Sequence, residues 1–127
     1  MTKRNQMSFR QSFEKIETTR NLNWLLLKML HQYFVYITTN ENKTTLYIGV
    51  TNDIQKRLSQ HYFDSENARK SFAGKYNCYH LVYFEGFESI DAAIAREKEL
   101  KKWRREKKDR LITEFNPNWE FLNIQVI

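Results

Sequence analysis

Tyr36 to His61 reads YITTNENKTTLYIGVTNDIQKRLSQH, and the predicted fold rests on this stretch. Aromatic and β-branched side chains fill two short runs, Tyr33–Thr38 and Thr45–Val50, and this composition is typical of β-strands. Asn40–Lys43 between them has the polar composition of a turn, so the two runs are predicted to form a β-hairpin. Gly49 lies inside the second run, which indicates that a backbone or a ligand approaches the strand closely there.

A helix is predicted to follow the hairpin directly. Asn52 can cap its N-terminus, with Gln55 at the third position as in a capping box. The helix is expected to run from Asp53 to about Tyr62. Arg57 and His61 are four residues apart, so they share one helical face.

One more strand and two more helices are predicted further along the chain. Tyr79–Glu85 is nearly continuous in apolar residues, which suits a central strand covered on both faces. Ser89 is expected to cap a second helix that runs to about Trp103, and a third helix spans about Glu106–Phe115. Asn116-Pro117 ends that helix, because proline cannot continue helical pairing. The sequence therefore predicts an α/β (α+β) domain, in which a small three-stranded sheet of antiparallel type is flanked by three or more helices.

The composition describes a basic chain with a single cysteine. A net charge of +6 favours an anionic partner, with nucleic acid first, although charge that only keeps a domain dispersed is the alternative. Cys78 is alone, so it can form no internal disulfide, and a reducing cytoplasm is the predicted location. The apolar run Trp24–Leu30 is short and interrupted by Lys28, so neither a membrane-spanning helix nor a membrane partner is predicted.

The chain is predicted to divide into an N-terminal extension, residues 1–30, and a domain, residues 31–127. Phe9, Phe13 and Ile16 recur at helical spacing, which indicates a short amphipathic helix that is marginal by itself. The extension can pack on the domain, bind a partner or form a loose tail. Met29 as the true start of the chain is a fourth alternative, and the sequence does not choose among them.

Glu97 is the most informative single residue. Its neighbours on a helical wheel of about 100° per residue are apolar and lie within about 60° of it: Ile90, Ala93, Ile94 and Leu100. A carboxylate within an apolar stripe needs a cationic partner or a metal ion. The alternatives are therefore an ion pair inside the fold and a ligand for Mg²⁺, which uses one or two carboxylates and completes its shell with water and substrate phosphate.

Four other side chains are candidates for chemistry, each with an ordinary alternative. Arg57 can contact a phosphate through its planar guanidinium, or it can be a surface charge. His61 can orient a hydroxyl or donate to phosphate, although a lone histidine is usually a surface residue. Tyr36 and Tyr47 are suited to packing in strands. A tyrosine with a pKa near 10 is a poor base unless a nearby cation lowers it.

Basic residues are concentrated between residues 96 and 110. The candidates for nucleic-acid contacts among them are Lys101, Lys102, Arg104 and Arg105. Acidic residues in the same segment offset part of the charge, and solvated helix faces often have this composition. A net excess would guide a polyanionic backbone and make its binding weaken as salt rises.

The chain resembles a known family through a set of motifs in a fixed order: Phe34-Val35-Tyr36, Tyr47-Ile48-Gly49, Arg57, His61, Ala95–Trp103 and Phe115–Trp119. The first four resemble the signature of the GIY-YIG nuclease superfamily. The last two are similar to the helix that carries the family's metal-binding glutamate and to the closing motif of its small stand-alone bacterial members. The resemblance covers Gln32 to Leu122, and Phe34 stands where the superfamily name has glycine.

The resemblance implies the GIY-YIG fold and a metal-dependent endonuclease that hydrolyses phosphodiester bonds, with DNA as the favoured substrate and RNA as the alternative. DNA repair, recombination, mobile-element defence and RNA processing all stay open as its process. It implies that Tyr36 is the general base and that Tyr47 is a second active-site tyrosine. Arg57 and His61 match two further catalytic positions. Glu97 matches the ligand of Mg²⁺ or Mn²⁺, and Asn116 is a possible further site residue. Two alternatives stay open. One is a nucleic-acid-binding module with this fold and little cleavage, and the other is a protein-interaction adaptor that uses residues 1–30.

Overall fold

A computed structural model describes residues 24–67 and 76–126. Its elements in chain order are helix α1 (residues 24–30), strands β1 (Tyr33–Thr39) and β2 (Leu46–Thr51), helix α2 (Ile54–Glu66), strand β3 (His80–Phe87), helices α3 (Ile90–Lys102) and α4 (Arg105–Phe115), and a 3₁₀ turn at Asn123–Val126. The three-stranded antiparallel sheet with flanking helices confirms the predicted α+β class. The helix predicted around Phe9, Phe13 and Ile16 lies outside the described residues. None of the helices within the two described ranges is long and apolar enough to cross a membrane.

The sheet has the strand order β2-β1-β3, with both pairings antiparallel. The third strand is therefore an edge strand, and the prediction that it is central was wrong. β1 is the central strand, and six of its seven residues are buried. Leu81 to Phe84 of β3 are nevertheless buried, because helices cover both faces of the sheet. A continuous apolar run indicates that both faces are covered, and it does not indicate a neighbouring strand on each side.

The start of α2 differs from the prediction by one residue. Asp53, and not Asn52, caps the helix: its backbone is extended, and its Oδ1 accepts a hydrogen bond from the Lys56 amide at 3.1 Å. Thr51 Oγ1 in turn accepts from the Asp53 amide at 3.0 Å, which fixes the capping residue. The predicted Ser89 cap of α3 is confirmed, because its side chain accepts from the Ala92 amide.

Two hydrophobic layers lie on opposite faces of the sheet, because successive residues of β1 point to opposite sides. The layer on the α2 face contains Trp24, Phe34, Tyr36, Ile54, Leu58, Leu81, Phe84, Leu122 and Val126. The layer on the α3 face contains Val35, Ile37, Ile48, Val82, Tyr83, Ala93, Leu100 and Ile112. Side chains on α2 can therefore meet Tyr36, while α3 packs against the other side of the same strand and α4 packs beside β3.

Helix α1 contributes to the layer on the α2 face. Trp24 is only 4% exposed, and its ring centroid lies 5.3 Å from those of Phe34 and Phe84. The chain then passes close over β3, where a Cβ added to Gly86 would lie 2.7 Å from the His31 ring. Trp24 and His31 thus pack against the sheet at the two ends of this segment. The boundary predicted at residue 30 stays a prediction.

Candidate active site

The centre of the candidate site is a contact between β1 and α2. The Tyr36 hydroxyl and His61 Nε2 are 2.8 Å apart, and both side chains are almost wholly buried. Tyr36 points to the α2 face from the central strand. His61 lies one turn of helix beyond Arg57, and Leu58 anchors the same stretch of α2 in the core.

Gly49 makes room for the Tyr36 ring. The two residues are paired across β1 and β2, so they occupy the same face of the sheet. A Cβ added to Gly49 would lie 2.5 Å from the Tyr36 hydroxyl oxygen and 2.6 Å from Cζ, so any side chain there would force the buried Tyr36 ring to shift. The close approach predicted at Gly49 is therefore real, although the approaching group is a tyrosine side chain and not a backbone or a ligand.

Tyr47 and Arg57 complete the cluster. The Tyr47 ring lies edge-on to His61 with centroids 5.0 Å apart, and its centroid is 6.1 Å from that of Tyr36. The Arg57 guanidinium interacts with the hydroxyl groups of both tyrosines. We call these four residues, Tyr36, Tyr47, Arg57 and His61, the tyrosine cluster. The structure thus brings together all four residues that the sequence indicated for catalysis.

Burial determines the protonation of the central pair. It raises the pKa of Tyr36 above the usual value, with a further contribution from Tyr47, and these effects outweigh the opposing effect of Arg57. Burial also lowers the pKa of His61 to about 4, and the positive charge of Arg57 adds to that effect. At neutral pH Tyr36 therefore keeps its proton and His61 is neutral. His61 Nδ1 is buried and has no hydrogen-bond partner among the described residues.

Glu97 lies in a different part of the fold, on α3, which packs against the other face of the sheet. Its neighbours Ala93 and Leu100 are buried as the wheel predicted, but the Glu97 side chain is 20% exposed and Ile90 is 47% exposed. Lys101 Nζ lies 3.6 Å from Glu97 Oε1. The carboxylate is thus less buried than predicted, because a wheel gives the direction of a side chain and not what covers it.

The fit of Glu97 to a metal ion depends on the ligands that a cation prefers. Within residues 24–67 and 76–126 no group of three or more His, Cys, Asp or Glu side chains could hold a metal. A single carboxylate that is partly open to solvent fits Mg²⁺ or Mn²⁺, because hard cations can take their other ligands from water and substrate phosphate. Structural zinc, which takes four protein ligands, does not fit this donor set.

Asn116 is used by the fold. Its side chain is buried, and Nδ2 donates to the carbonyls of Val82 and Glu120 at 3.1 and 2.9 Å. Oδ1 accepts from the Glu120 amide at 3.0 Å. Asn116 therefore joins the end of α4 and the following segment to β3, which is a structural use of all its polar atoms.

Arg105 differs from the other basic candidates because its guanidinium binds backbone carbonyls of the hairpin turn. Its Nη1 and Nη2 donate to the carbonyls of Thr44 and Lys43 at 2.9 and 3.0 Å, and its Nε donates to Asp109. Lys43 adopts a positive φ of 59°, so Arg105 holds the carbonyl of a residue in the left-handed region. Lys101, Lys102 and Arg104 are exposed at the junction of α3 and α4. The sequence could not indicate the Arg105 contacts, because they join residues more than 60 positions apart.

Trp103 is a feature that the sequence analysis missed. The Lys107 Nζ lies 4.1 Å from the centroid of its ring, and the Arg96 Cζ lies 5.2 Å from it. Cations at these distances interact favourably with an indole ring. Arg96 also pairs with Glu85 of β3 at 3.1 Å, so part of the basic segment is organised around the tryptophan and the sheet.

Comparisons with protein families and with known proteins identify the family of this chain. The profile described as the GIY-YIG catalytic domain matches residues 32–110. A UPF0213 protein of Haloquadratum walsbyi is 35% identical over 82 residues, which are 65% of this chain and 88% of the relative. One of Natronomonas pharaonis is 34% identical over 86 residues, 68% of this chain and 96% of the relative, and one of Staphylococcus aureus is 33% identical over 85 residues, 67% and 99% respectively. No solved structure matches the chain. The matched residues, 32–110, include the whole tyrosine cluster and Glu97. The chain belongs to the GIY-YIG catalytic-domain family.

Proposed function

We propose that this protein is a metal-dependent endonuclease that hydrolyses phosphodiester bonds in DNA. The observation that carries the proposal is the tyrosine cluster, in which Tyr36 and His61 share a buried hydrogen bond beside the Arg57 guanidinium. Membership of a catalytic family that acts on nucleic acid supports the substrate class, and the net charge of +6 agrees with a polyanion.

Arg57 supplies positive charge to the site. The partners described for its guanidinium are the hydroxyl groups of Tyr36 and Tyr47, and neither is a carboxylate that would offset its charge. A planar guanidinium can hold two phosphate oxygens and can stabilise the charge that develops as a phosphodiester is attacked. We assign this role to Arg57, and we assign positioning of the phosphate to the Tyr47 hydroxyl.

Tyr36 and His61 can move a proton as a pair. Tyr36 is protonated at rest, so it can accept a proton from water only as it releases its own. Nε2 of neutral His61 lies 2.8 Å away and can take that proton. The resulting imidazolium is disfavoured by burial and by Arg57, and an anionic phosphodiester bound at Arg57 would offset the second of these effects. The pair is therefore expected to work as a base only once substrate is in place.

Glu97 is the side chain that would hold a divalent cation. When bound, such a cation would polarise the phosphate and neutralise part of its charge. Glu97 provides a hard carboxylate ligand, and a cation there would compete with Lys101, which contacts Oε1 at 3.6 Å. That contact joins a half-exposed lysine to a partly exposed glutamate four residues away, and pairs of this kind contribute little stability.

A nucleic-acid-binding module with little or no cleavage is the second candidate. Two observations favour it: burial raises the pKa of Tyr36, and Glu97 lies on the helix layer opposite the tyrosine cluster. Both would make hydrolysis slow unless substrate and metal reorganise the site. The two functions differ in metal-dependent strand cleavage, which is directly measurable.

Nicking of supercoiled plasmid in Mg²⁺ or Mn²⁺ tests the proposal. We expect the wild-type chain to nick and EDTA to abolish nicking, and we expect Glu97→Gln to lower the rate by at least about a hundredfold. Glu99→Gln is the matched control, because Glu99 lies on the same helix and pairs with Arg96 on the exposed side. Plasmid binding without metal-dependent nicking would favour the binding module instead.

A further inference from the structure

A second group of aromatic side chains lies at the surface on the α2 face. Tyr62 near the end of α2, Tyr79 and His80 at the start of β3, and Phe121 in the C-terminal segment surround a cavity of about 600 Å³. Its other lining residues are Gln55, Leu58, Ser59, Asn123 and Ile124. We call this cavity the aromatic pocket. None of its lining residues belongs to the tyrosine cluster, so the proposed chemistry does not use it.

The rings of the aromatic pocket form a continuous series. Tyr62 meets Tyr79 edge-on with centroids 5.1 Å apart, and Tyr79 lies 4.5 Å from His80. His80 and Phe121 are stacked, with centroids 4.0 Å apart and planes inclined by 14°. Tyr62 is 50% exposed and Phe121 is 37% exposed, so the two ends of the series are open to solvent. Large aromatic side chains are seldom left exposed side by side without a partner.

The chemistry of the pocket suits a flat ring better than a phosphate group. The nearby charges oppose one another: Lys43 Nζ lies 5.4 Å from the Phe121 centroid, and Glu41 acts on His80. The lining is otherwise aromatic, aliphatic and amide. A cavity of this volume falls in the usual range of about 300–1,000 Å³ for sites that bind small organic groups. Stacking of a nucleobase on an aromatic side chain strengthens binding by roughly 5- to 150-fold and tolerates any base.

The aromatic pocket is placed to act together with the tyrosine cluster. Gln55, Ser59 and Tyr62 lie on one flank of α2, and Tyr62 is about 140° around the helix from Arg57 on the other flank. A helix with its side chains is about 10–12 Å across. One nucleic-acid strand that crosses α2 can therefore touch both places.

We propose that the aromatic pocket binds an unpaired base of the nucleic-acid substrate. This inference rests on the proposed function and names its substrate class: single-stranded or locally unpaired nucleic acid. A base within a continuous duplex is stacked on its neighbours and cannot enter the pocket, so fully paired DNA contacts the protein without it.

Binding measured in EDTA tests the pocket separately from cleavage. The full chain is titrated, by fluorescence anisotropy, into a short homothymidine oligonucleotide and into a blunt-ended, fully paired duplex of the same charge. Tyr62→Leu and Phe121→Leu keep apolar bulk but remove the ring faces, and Tyr62→Phe and Phe121→Tyr keep them. Phe63→Leu is the matched control, because Phe63 is 51% exposed on the same helix and does not line the pocket.

We expect each leucine substitution in the pocket to weaken binding of the single strand about tenfold, in line with the loss of one stacking contact. Binding of the duplex by the leucine variants, and binding of the single strand by Phe63→Leu, should stay close to wild type. Tyr62→Phe and Phe121→Tyr should bind the single strand with wild-type affinity. Unchanged single-strand binding, or an equal loss for both probes, would overturn the proposal. A changed sedimentation coefficient of Tyr62→Leu would overturn it too, because a second copy of the chain would then be the occupant. A chain that binds this way without nicking refutes the proposed hydrolysis and leaves the pocket intact.

Discussion

The hydroxyl of Tyr36 and Nε2 of His61 meet at 2.8 Å across 25 residues of sequence, inside a hydrophobic layer that almost excludes solvent. This contact joins the central strand to α2. It also places two groups that are both neutral at pH 7 beside the positive charge of Arg57. The pair therefore carries no negative charge at pH 7. Under the proposed function, a proton moves from Tyr36 to His61 once substrate is bound.

Tyr36→Phe tests this proton transfer. The substitution keeps the ring above Gly49 and removes the hydroxyl, so we expect the nicking rate to fall by at least about a hundredfold. It also leaves a buried nitrogen of His61 without its partner, which should lower the free energy of unfolding by about 1–3 kcal/mol. The matched control is Tyr83→Phe, because Tyr83 is buried on the α3 face and its hydroxyl donates to Glu85 at 2.7 Å. Equal nicking rates for the two variants would contradict the role of Tyr36.

The lowered pKa of His61 predicts a pH dependence of stability. Between its ordinary value of 6.5 and its folded value of about 4, the unfolded chain binds a proton that the folded chain does not. The contribution of this residue to stability is therefore complete above about pH 6.5 and is lost as the pH falls towards 4.

His61→Gln isolates that contribution, because glutamine can still hydrogen-bond Tyr36 but does not titrate. The other titratable groups, including His80, are the same in both proteins. A difference between their thermal melts from pH 7 to pH 4 therefore comes from His61. We expect the wild-type melting temperature to fall more steeply than that of the variant. Parallel curves would show that His61 titrates in the folded protein at its ordinary pKa.

Arg104 and Arg105 are neighbours in sequence and are expected to differ in function. Arg105 binds the Thr44 and Lys43 carbonyls, so Arg105→Ala should lower the free energy of unfolding by about 1–2 kcal/mol. Arg104→Ala removes an exposed charge, so it should leave stability unchanged. Alanine at Lys101, Lys102 and Arg104 together should flatten the salt dependence of DNA binding by roughly one unit for each lost phosphate contact.

Urea denaturation and binding titrations at several salt concentrations check these expectations. Arg105→Lys provides a further comparison, because lysine keeps the charge but lacks the planar guanidinium that donates to both carbonyls at once. If Arg105→Lys is as stable as wild type, the hydrogen bonds from Arg105 to the Thr44 and Lys43 carbonyls are not important for the fold. If the triple variant keeps the wild-type salt slope, the exposed basic residues form only a solvated face.

Trp24→Ala tests how far helix α1 supports the domain. The indole is 4% exposed and packs on Phe34 and Phe84, so its loss should cost about 3–5 kcal/mol in the free energy of unfolding. Leu25→Ala is the matched control, because Leu25 is 52% exposed in the same helix and should change stability by less than about 0.5 kcal/mol. A chain that starts at Met29 loses this tryptophan as well and is expected to melt at a lower temperature. Equal stability of the two alanine variants would show that α1 is dispensable.

The sequence predicted the elements well because local signals define them. Strands β1 and β2 agree with the predicted runs to within one residue at each end, and α3 and α4 begin and end where Ser89 and Asn116-Pro117 indicated. The capping residue of α2 was misplaced by one position, because Asn52 and Asp53 are both suitable caps and the choice between them depends on Thr51.

Features that depend on distant contacts could not be predicted in this way. The edge position of β3 depends on strand order. The hydrogen bonds from Arg105 to the Thr44 and Lys43 carbonyls depend on where α4 meets the hairpin turn. The raised pKa of Tyr36 is a similar case: a nearby cation was expected to lower it, and Arg57 does oppose the shift, but burial has the larger effect. Burial is a property of the assembled layers and not of the local sequence.

The fit of Tyr36 over Gly49 limits when the tyrosine cluster can form during folding. A slip of one residue between β1 and β2 would bring Ile48 or Val50 opposite Tyr36 and turn alternate side chains to the wrong face. The hydroxyl would then no longer find space beside His61. The tyrosine cluster can therefore form only in chains whose hairpin has paired in the correct register. Under the proposed function, the glycine makes correct pairing of the hairpin a condition for cleavage of nucleic acid.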